Sequence, residues 1–258
     1  MKIEKLLIIP ERENIEEYLT LCHRYGCGFE YNDFFKPDML TDADGMAAVI
    51  HTYQSYRLPE YCTLHGAFLD VTIFSDDPAI RRVSQMRVEQ SLSAAQGMGA
   101  KAVVFHTNYV ANFLSDSYRK SWVERNASYW KQKLSEYPDL RIYIENMFDT
   151  DPVLLAALAE CMQDEARFGV CLDYAHAHVF GNPDRIDEWV RMLAPYVKHI
   201  HINDNDWKSD SHLAVGDGRI DWKHFAENYD AYFPDASVLI EVNGMDKIHR
   251  SLQFMKEV

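Results

Sequence analysis

The 258-residue chain contains no apolar stretch long enough to span a bilayer; its first apolar run, Leu6 to Ile9, is also far too short for the core of a secretion signal. A membrane is therefore not expected as a partner, and the cytoplasm is the expected location. Cysteine is scarce: Cys22, Cys27, Cys62, Cys161 and Cys171 are odd in number and form no Cys-x-x-Cys pair. That usage suits reduced, mostly buried thiols in a reducing compartment. Positive charge is also in short supply. Lys and Arg total 26 against 40 Asp and Glu, a formal net charge of −14. A duplex-binding surface needs clustered cations to displace counterions, and the chain has no such cluster, so nucleic acid is not an expected partner. Glycine and proline never gather into a linker, and there is no low-complexity segment. The chain reads as one domain over residues 1–258, and a homo-oligomer is compatible with it.

Short apolar runs instead alternate with longer amphipathic stretches from end to end. Strands are expected at Lys5–Ile9, Gly28–Tyr31, Cys62–Ala67, Ala102–His106, Arg141–Asn146, Gly169–Tyr174, Lys198–Asn203 and Val238–Val242. Helices are expected at Glu13–Tyr25, Asp38–Tyr56, Ala79–Met98, Tyr118–Leu134, Pro152–Ala166, Arg185–Leu193, Trp222–Tyr232 and Asp246–Lys256. Repeated strand–helix alternation is the pattern of a parallel sheet. At this length it predicts an α/β fold, a single (β/α)₈ TIM barrel with parallel strands.

Residues two apart on a strand share a face. Ile142 and Ile144 face away from Tyr143 and Glu145, Val170 and Leu172 from Cys171 and Asp173, and Ile200 and Ile202 from His199, His201 and Asn203. The same split isolates His65, His106 and Glu241. Packing the aliphatic face on the helices turns the polar face inward, so His65, His106, Glu145, Asp173, His201 and Glu241 converge on the mouth where barrel enzymes build their sites. Singly, each residue is explained by an ordinary hydrogen bond or a helix cap. Together, three buried carboxylates would repel one another unless a cation lay between them. Oxygen and imidazole donors suit a divalent metal such as Mn²⁺, Mg²⁺, Co²⁺ or Zn²⁺.

With these residues the sequence resembles the xylose isomerase-like barrel superfamily, which holds sugar and sugar phosphate isomerases and epimerases and the endonuclease IV-type apurinic endonucleases. The resemblance covers nearly the whole chain. It rests on His65-Gly-Ala-Phe, Phe105-His106, Ile144-Glu145-Asn146, Cys171-Leu-Asp173-Tyr-Ala-His176, His199-Ile-His201-Ile-Asn-Asp204, Asp210-Ser-His212, Gly216-Asp-Gly-Arg-Ile-Asp-Trp222 and Ile240-Glu241. In the isomerase and epimerase branch it implies one metal on Glu145, Asp173, His201 and Glu241, with the two glutamates as acid and base and His176 touching substrate. In the endonuclease branch it implies His65, His106, His176, Asp210 and His212 as further ligands, completing a set of three zinc ions.

The reading carried forward is a metal-dependent isomerase or epimerase of a sugar-like small molecule. Its metal would polarise a carbonyl and stabilise an enediolate while Glu145 and Glu241 exchange the proton. The multi-zinc phosphodiesterase of the endonuclease IV type is the alternative, and a metal-binding barrel without turnover is a third. The acidic residues Asp204, Asp206 and Asp210, set against only Lys208, and the lack of a Gly-rich phosphate cradle weigh toward the sugar. Trp207, Phe148, Tyr109 and Phe113 fall in loops at the mouth, where they can stack on substrate or simply pack; His65 and His106 can contact substrate instead of metal.

Overall fold

The computed structural model describes residues 2–257. Eight parallel strands close into one barrel in sequence order, β8 pairing back onto β1. They are β1 (Leu6–Ile8), β2 (Gly28–Tyr31), β3 (Cys62–His65), β4 (Ala102–His106), β5 (Arg141–Glu145), β6 (Phe168–Asp173), β7 (Val197–Ile202) and β8 (Ser237–Ile240). The helices are α1 (Ile15–Tyr25), α2 (Pro37–Thr41), α3 (Ala43–Gln54), α4 (Pro78–Met98), α5 (Asp116–Glu136), α6 (Val153–Cys161), α7 (Tyr174–Val179), α8 (Ile186–Leu193), α9 (Trp222–Tyr232) and α10 (Met245–Phe254). No helix among the described residues is long and apolar enough to cross a membrane.

The alternation read along the strands separates two kinds of core. Val103, Phe105, Ile142, Ile144, Val170, Leu172, Ile200, Ile202, Val238 and Ile240 join the large cluster between strands and helices. Inside the barrel, Ala102, Val104, Tyr143 and Cys171 make one small cluster, and Leu7, Ile9 and Leu239 another. The interior is thus divided, with a polar layer threaded through it. The β6–β7 register slips between Val170 and Cys171, and beyond the slip Asp173 lies level with His201.

Two helical expectations are corrected. The region Asp38–Tyr56 is two helices, because Asp42 leaves helical geometry (φ −93°, ψ 89°) and its carboxylate accepts from the Gly45 N–H, capping α3. The six-residue helix α7 begins directly at the end of β6 and was not expected. Its six residues are too few to show a helical period, and all but the last are buried.

Candidate metal centre

The spacing Asp173-x-x-His176 is a helix start. One oxygen of Asp173 accepts from the His176 backbone N–H at 2.6 Å, capping α7, and the other is left without a hydrogen-bond partner. The cap brings the His176 ring over the barrel mouth, its Nδ1 3.5 Å from both Asp173 Oδ2 and Glu145 Oε1. Asn146 ties the two strands together. Its amide donates to the Asp173 carbonyl and accepts from the Asp173 N–H, both at 2.9 Å.

Glu145 lies at the hub, fully buried. Its Oε2 is 3.3 Å from His106 Nε2 and 3.5 Å from His65 Nε2; its Oε1 is 3.3 Å from His201 Nδ1. Glu241 Oε2 is 3.6 Å from the same nitrogen of His201. To one side, Asp210 Oδ2 lies 3.3 Å from His176 Nε2 and 3.1 Å from His212 Nε2. The donor atoms gather into three groups, each within 4.8 Å internally: His65, His106 and Glu145; Glu145, Asp173, His201 and Glu241; and His176, Asp210 and His212. All nine residues singled out at the strand ends and in the Asp210 loop are therefore assembled, with Glu145 shared by two groups.

Backbone acceptors fix the imidazoles. A carbonyl can only accept, so His65 Nδ1 donates to Gly66 O (3.1 Å), His176 Nδ1 to Asn146 O (2.9 Å) and His212 Nδ1 to Glu241 O (2.7 Å). Each bond turns Nε2 into its group, toward Glu145 for His65 and toward Asp210 for His176 and His212. The carboxylates are equally unspent: both oxygens of Glu145, Asp173 Oδ2, Asp210 Oδ1 and Glu241 Oε2 are buried without a hydrogen-bond partner. Unpartnered carboxylate oxygens gathered in a dry site are costly unless a cation lies among them. The donor set therefore suits one or more divalent metal ions.

The electrostatics agree. Burial drives the Asp173 carboxyl far above its usual range, with Glu241 and Glu145 adding to the rise. Burial resists charge on His201 and His176, yet the surrounding acidic groups outweigh it and lift both well above normal. His212 is carried to about 10, with Asp210 and Glu241 overcoming its burial. Burial likewise opposes charge on Glu145, but His201 and His106 hold its carboxyl well below the usual value. The shifts of Asp173, His176, His201 and His212 all report a surplus of negative charge at the centre of the cluster.

Two features of the loop 203–222 change its reading. Asp204 is fully buried, and its carboxylate accepts from the N–H groups of Asn205, Gly216 and Ile220 and from the Trp222 indole. A Cβ on Gly218 would sit 2.2 Å from Asp204 Oδ1, so only glycine permits this wrap. Asp204 thus organises the loop from within, and Asp210 belongs to a ligand group. Of the three acids set against Lys208, only Asp206 is left exposed, and their number no longer argues against a phosphate.

Of the mouth aromatics, Tyr109 is buried against Trp122, so it belongs to the packing. Phe113 pairs with Tyr118, Phe148 is exposed and packs on Phe180, and Trp207 is half-buried under the Arg219 guanidinium, 4.5 Å from its ring centre. Two residues, Asp149 and Glu30, escaped the sequence reading. Asp149, fully enclosed, accepts from Thr107 Oγ1 (2.6 Å) and the Met147 N–H (3.0 Å). Glu30 and His199 form a buried layer beneath the ligands. Cys171, His199 and His201 also lie close together, but His199 already meets Ser237 Oγ at 2.7 Å and Glu30 Oε2 at 3.1 Å, so neither of its nitrogens is free for a metal.

The family described as "xylose isomerase-like TIM barrel" matches residues 14–258. A probable endonuclease 4 of Mycobacterium leprae is 27% identical over 199 residues, 72% of this chain and 71% of that protein. Among solved structures, the TTHB071 protein of Thermus thermophilus, soaked with ZnCl₂, superposes with a TM-score of 0.79 at 22% identity, covering 99% of this chain and 97% of that one. A D-tagatose 3-epimerase-like protein follows at 0.76 and 19% identity, covering 98% and 96%.

Proposed function

The chain belongs to the xylose isomerase-like TIM barrel family, and from that membership we propose that it is a multi-metal hydrolase of phosphate esters, of the endonuclease IV type. The observation that carries this reading is the completeness of both outer groups beside the central one, the His65 and His106 group sharing Glu145 with it. A single-metal isomerase needs only Glu145, Asp173, His201 and Glu241. It has no use for two further sets of imidazoles, three of which (His65, His176 and His212) have Nδ1 held by a backbone carbonyl so that Nε2 is turned into its group. The relative from Mycobacterium leprae, a probable endonuclease 4, supports the same choice.

Divalent ions held in these groups would supply Lewis acidity toward a phosphoryl oxygen and would make a water more acidic at neutral pH. The chain's own part is geometric. Glu145 spans two groups and sets their separation, and Asp173 is held by the cap of α7. Glu241 is the most exposed of the three central carboxylates and is placed to accept the proton released as water attacks. His65, His106, His176 and His212 act as ligands in this reading rather than as direct substrate contacts. Trp207 and Phe148 remain at the rim as contacts for the leaving group.

The sugar isomerase or epimerase is the second reading. It is favoured by Glu145 and Glu241 reaching the same nitrogen of His201, which would let two carboxylates flank a chelated substrate. One experiment separates the two. Zinc-loaded protein is incubated with a chromogenic phosphodiester and with single- and double-stranded oligonucleotides carrying an abasic site. In parallel, manganese- and cobalt-loaded protein is incubated with ketohexoses in D₂O. Ester cleavage without deuterium uptake supports the hydrolase; deuterium at a sugar carbon without ester cleavage overturns it.

A further inference from the structure

Beneath the mouth, Glu30 on β2 is fully buried and makes no contact with solvent. Its Oε2 accepts from Thr63 Oγ1 at 2.6 Å and meets His199 Nε2 at 3.1 Å; its Oε1 lies 3.1 Å from His201 Nε2. His201 is the central histidine, and it differs from the others in orientation. His65, His176 and His212 turn Nδ1 to a carbonyl and offer Nε2. His201 offers Nδ1 to Glu145 and Glu241 and turns Nε2 down toward a carboxylate. A ring nitrogen can hold a metal only through its lone pair, so Nδ1 as donor atom requires the proton on Nε2, facing Glu30.

We propose that Glu30 is the positioning residue of the central metal group. Across the barrel it fixes the proton of His201 on Nε2 and aims Nδ1 at the site. Glu30 Oε1 and His201 Nε2 stand at ion-pair distance without the alignment of a hydrogen bond, so the carboxylate acts by its full negative charge where the three backbone carbonyls act as acceptors, making His201 the strongest imidazole donor of the set. The alternative is that Glu30 exists only to satisfy the buried His199, with Thr63 and Ser237 completing a structural network. The inference rests on the central group holding a metal, which both functional readings share.

The test uses a His106→Ala, His212→Ala background, in which only the central group is complete, so that zinc competition with a chromophoric chelator reports one site. Adding Glu30→Gln should weaken zinc about 10–100-fold, while Glu30→Asp should recover part of the loss. His199→Gln, which keeps Glu30, should leave zinc affinity within about threefold of the background. An equal loss in Glu30→Gln and His199→Gln overturns the proposal in favour of the structural network. Unchanged affinity in Glu30→Gln overturns it too. If Glu30→Gln does not fold, ¹⁵N-histidine spectra of the zinc-loaded wild type decide: a protonated Nε2 and a metal-shifted Nδ1 at His201 are expected, and the reverse refutes the assignment. No zinc at all in the background protein refutes the metal reading itself, a different result from zinc bound with Glu30 irrelevant.

Discussion

The carboxylate of Asp204 and the indole of Trp222 are joined by a 2.8 Å hydrogen bond across eighteen positions of chain, and that bond closes the loop presenting Asp210 and His212. Replacing Asp204 with Ala leaves the backbone N–H groups of Asn205 and Ile220 and the Trp222 indole N–H without their acceptor inside the protein. The expected cost is roughly 3 kcal/mol of stability. The metal of the Asp210 group should be lost while the central one stays. Urea melts paired with elemental analysis check both halves; a variant that keeps every metal would show that the loop is held by other contacts.

Stoichiometry follows from the three groups. Protein purified without chelator and dialysed against zinc should carry three ions per chain, and His106→Ala and His212→Ala should each remove one. One ion per chain in wild type and in the double variant would return the site to the single-metal isomerase.

Glu145→Gln and Glu241→Gln should each reduce turnover by at least about 10³-fold with the fold intact by circular dichroism. They should differ in metal content. Glu145 serves two groups, so its loss should weaken two ions, and Glu241 only one. Near-normal activity in either variant with metal retained would remove that residue from the chemistry.

Asp149 predicts a pH effect. Burial lifts its carboxyl from 3.8 to about 7, against the pull of Thr107 and the Met147 N–H. The folded state thus holds a proton that the unfolded state releases, so this group's contribution to stability is complete below pH 3.8 and fades as pH rises to about 7. Asp149→Asn cannot ionise. In chelator-treated protein the variant should gain on wild type across that window, by up to about 4 kcal/mol at roughly 1.4 kcal/mol per pH unit. Parallel stability curves for the two would show that the carboxyl stays neutral or is otherwise compensated.

Much of this molecule is legible in its sequence because the barrel obeys a period of two. Ile142 and Ile144 on one side and Glu145 on the other tell where the helices lie and where the mouth is, and the same holds for His106, Asp173 and His201. Glu30 escapes because the strand Gly28–Tyr31 has no aliphatic alternation to orient it, and its partners lie across the barrel on β7. Asp204 reads as one more surface acid because nothing local reveals that four donors close around it. The break at Asp42 is a cap hidden inside an otherwise helical stretch. For Glu30 and Asp204, what the sequence hides is a contact between distant segments, whereas the Asp42 cap is local.

Glu241 serves two groups with two different parts of itself: its carboxylate faces His201, and its backbone carbonyl orients His212. Gly66 and Asn146 likewise lend carbonyls to His65 and His176. The chain just beyond β3, β5 and β8 is therefore not free to drift, since any change of its path would disturb an imidazole whatever side chain it carried. Among the described residues, the loops after β2 and β4 lend no such carbonyl. Relatives that share this arrangement of ligand groups and differ in what they act on should have diverged there, through insertions and new rims, while the segments after β3, β5 and β8 kept their length.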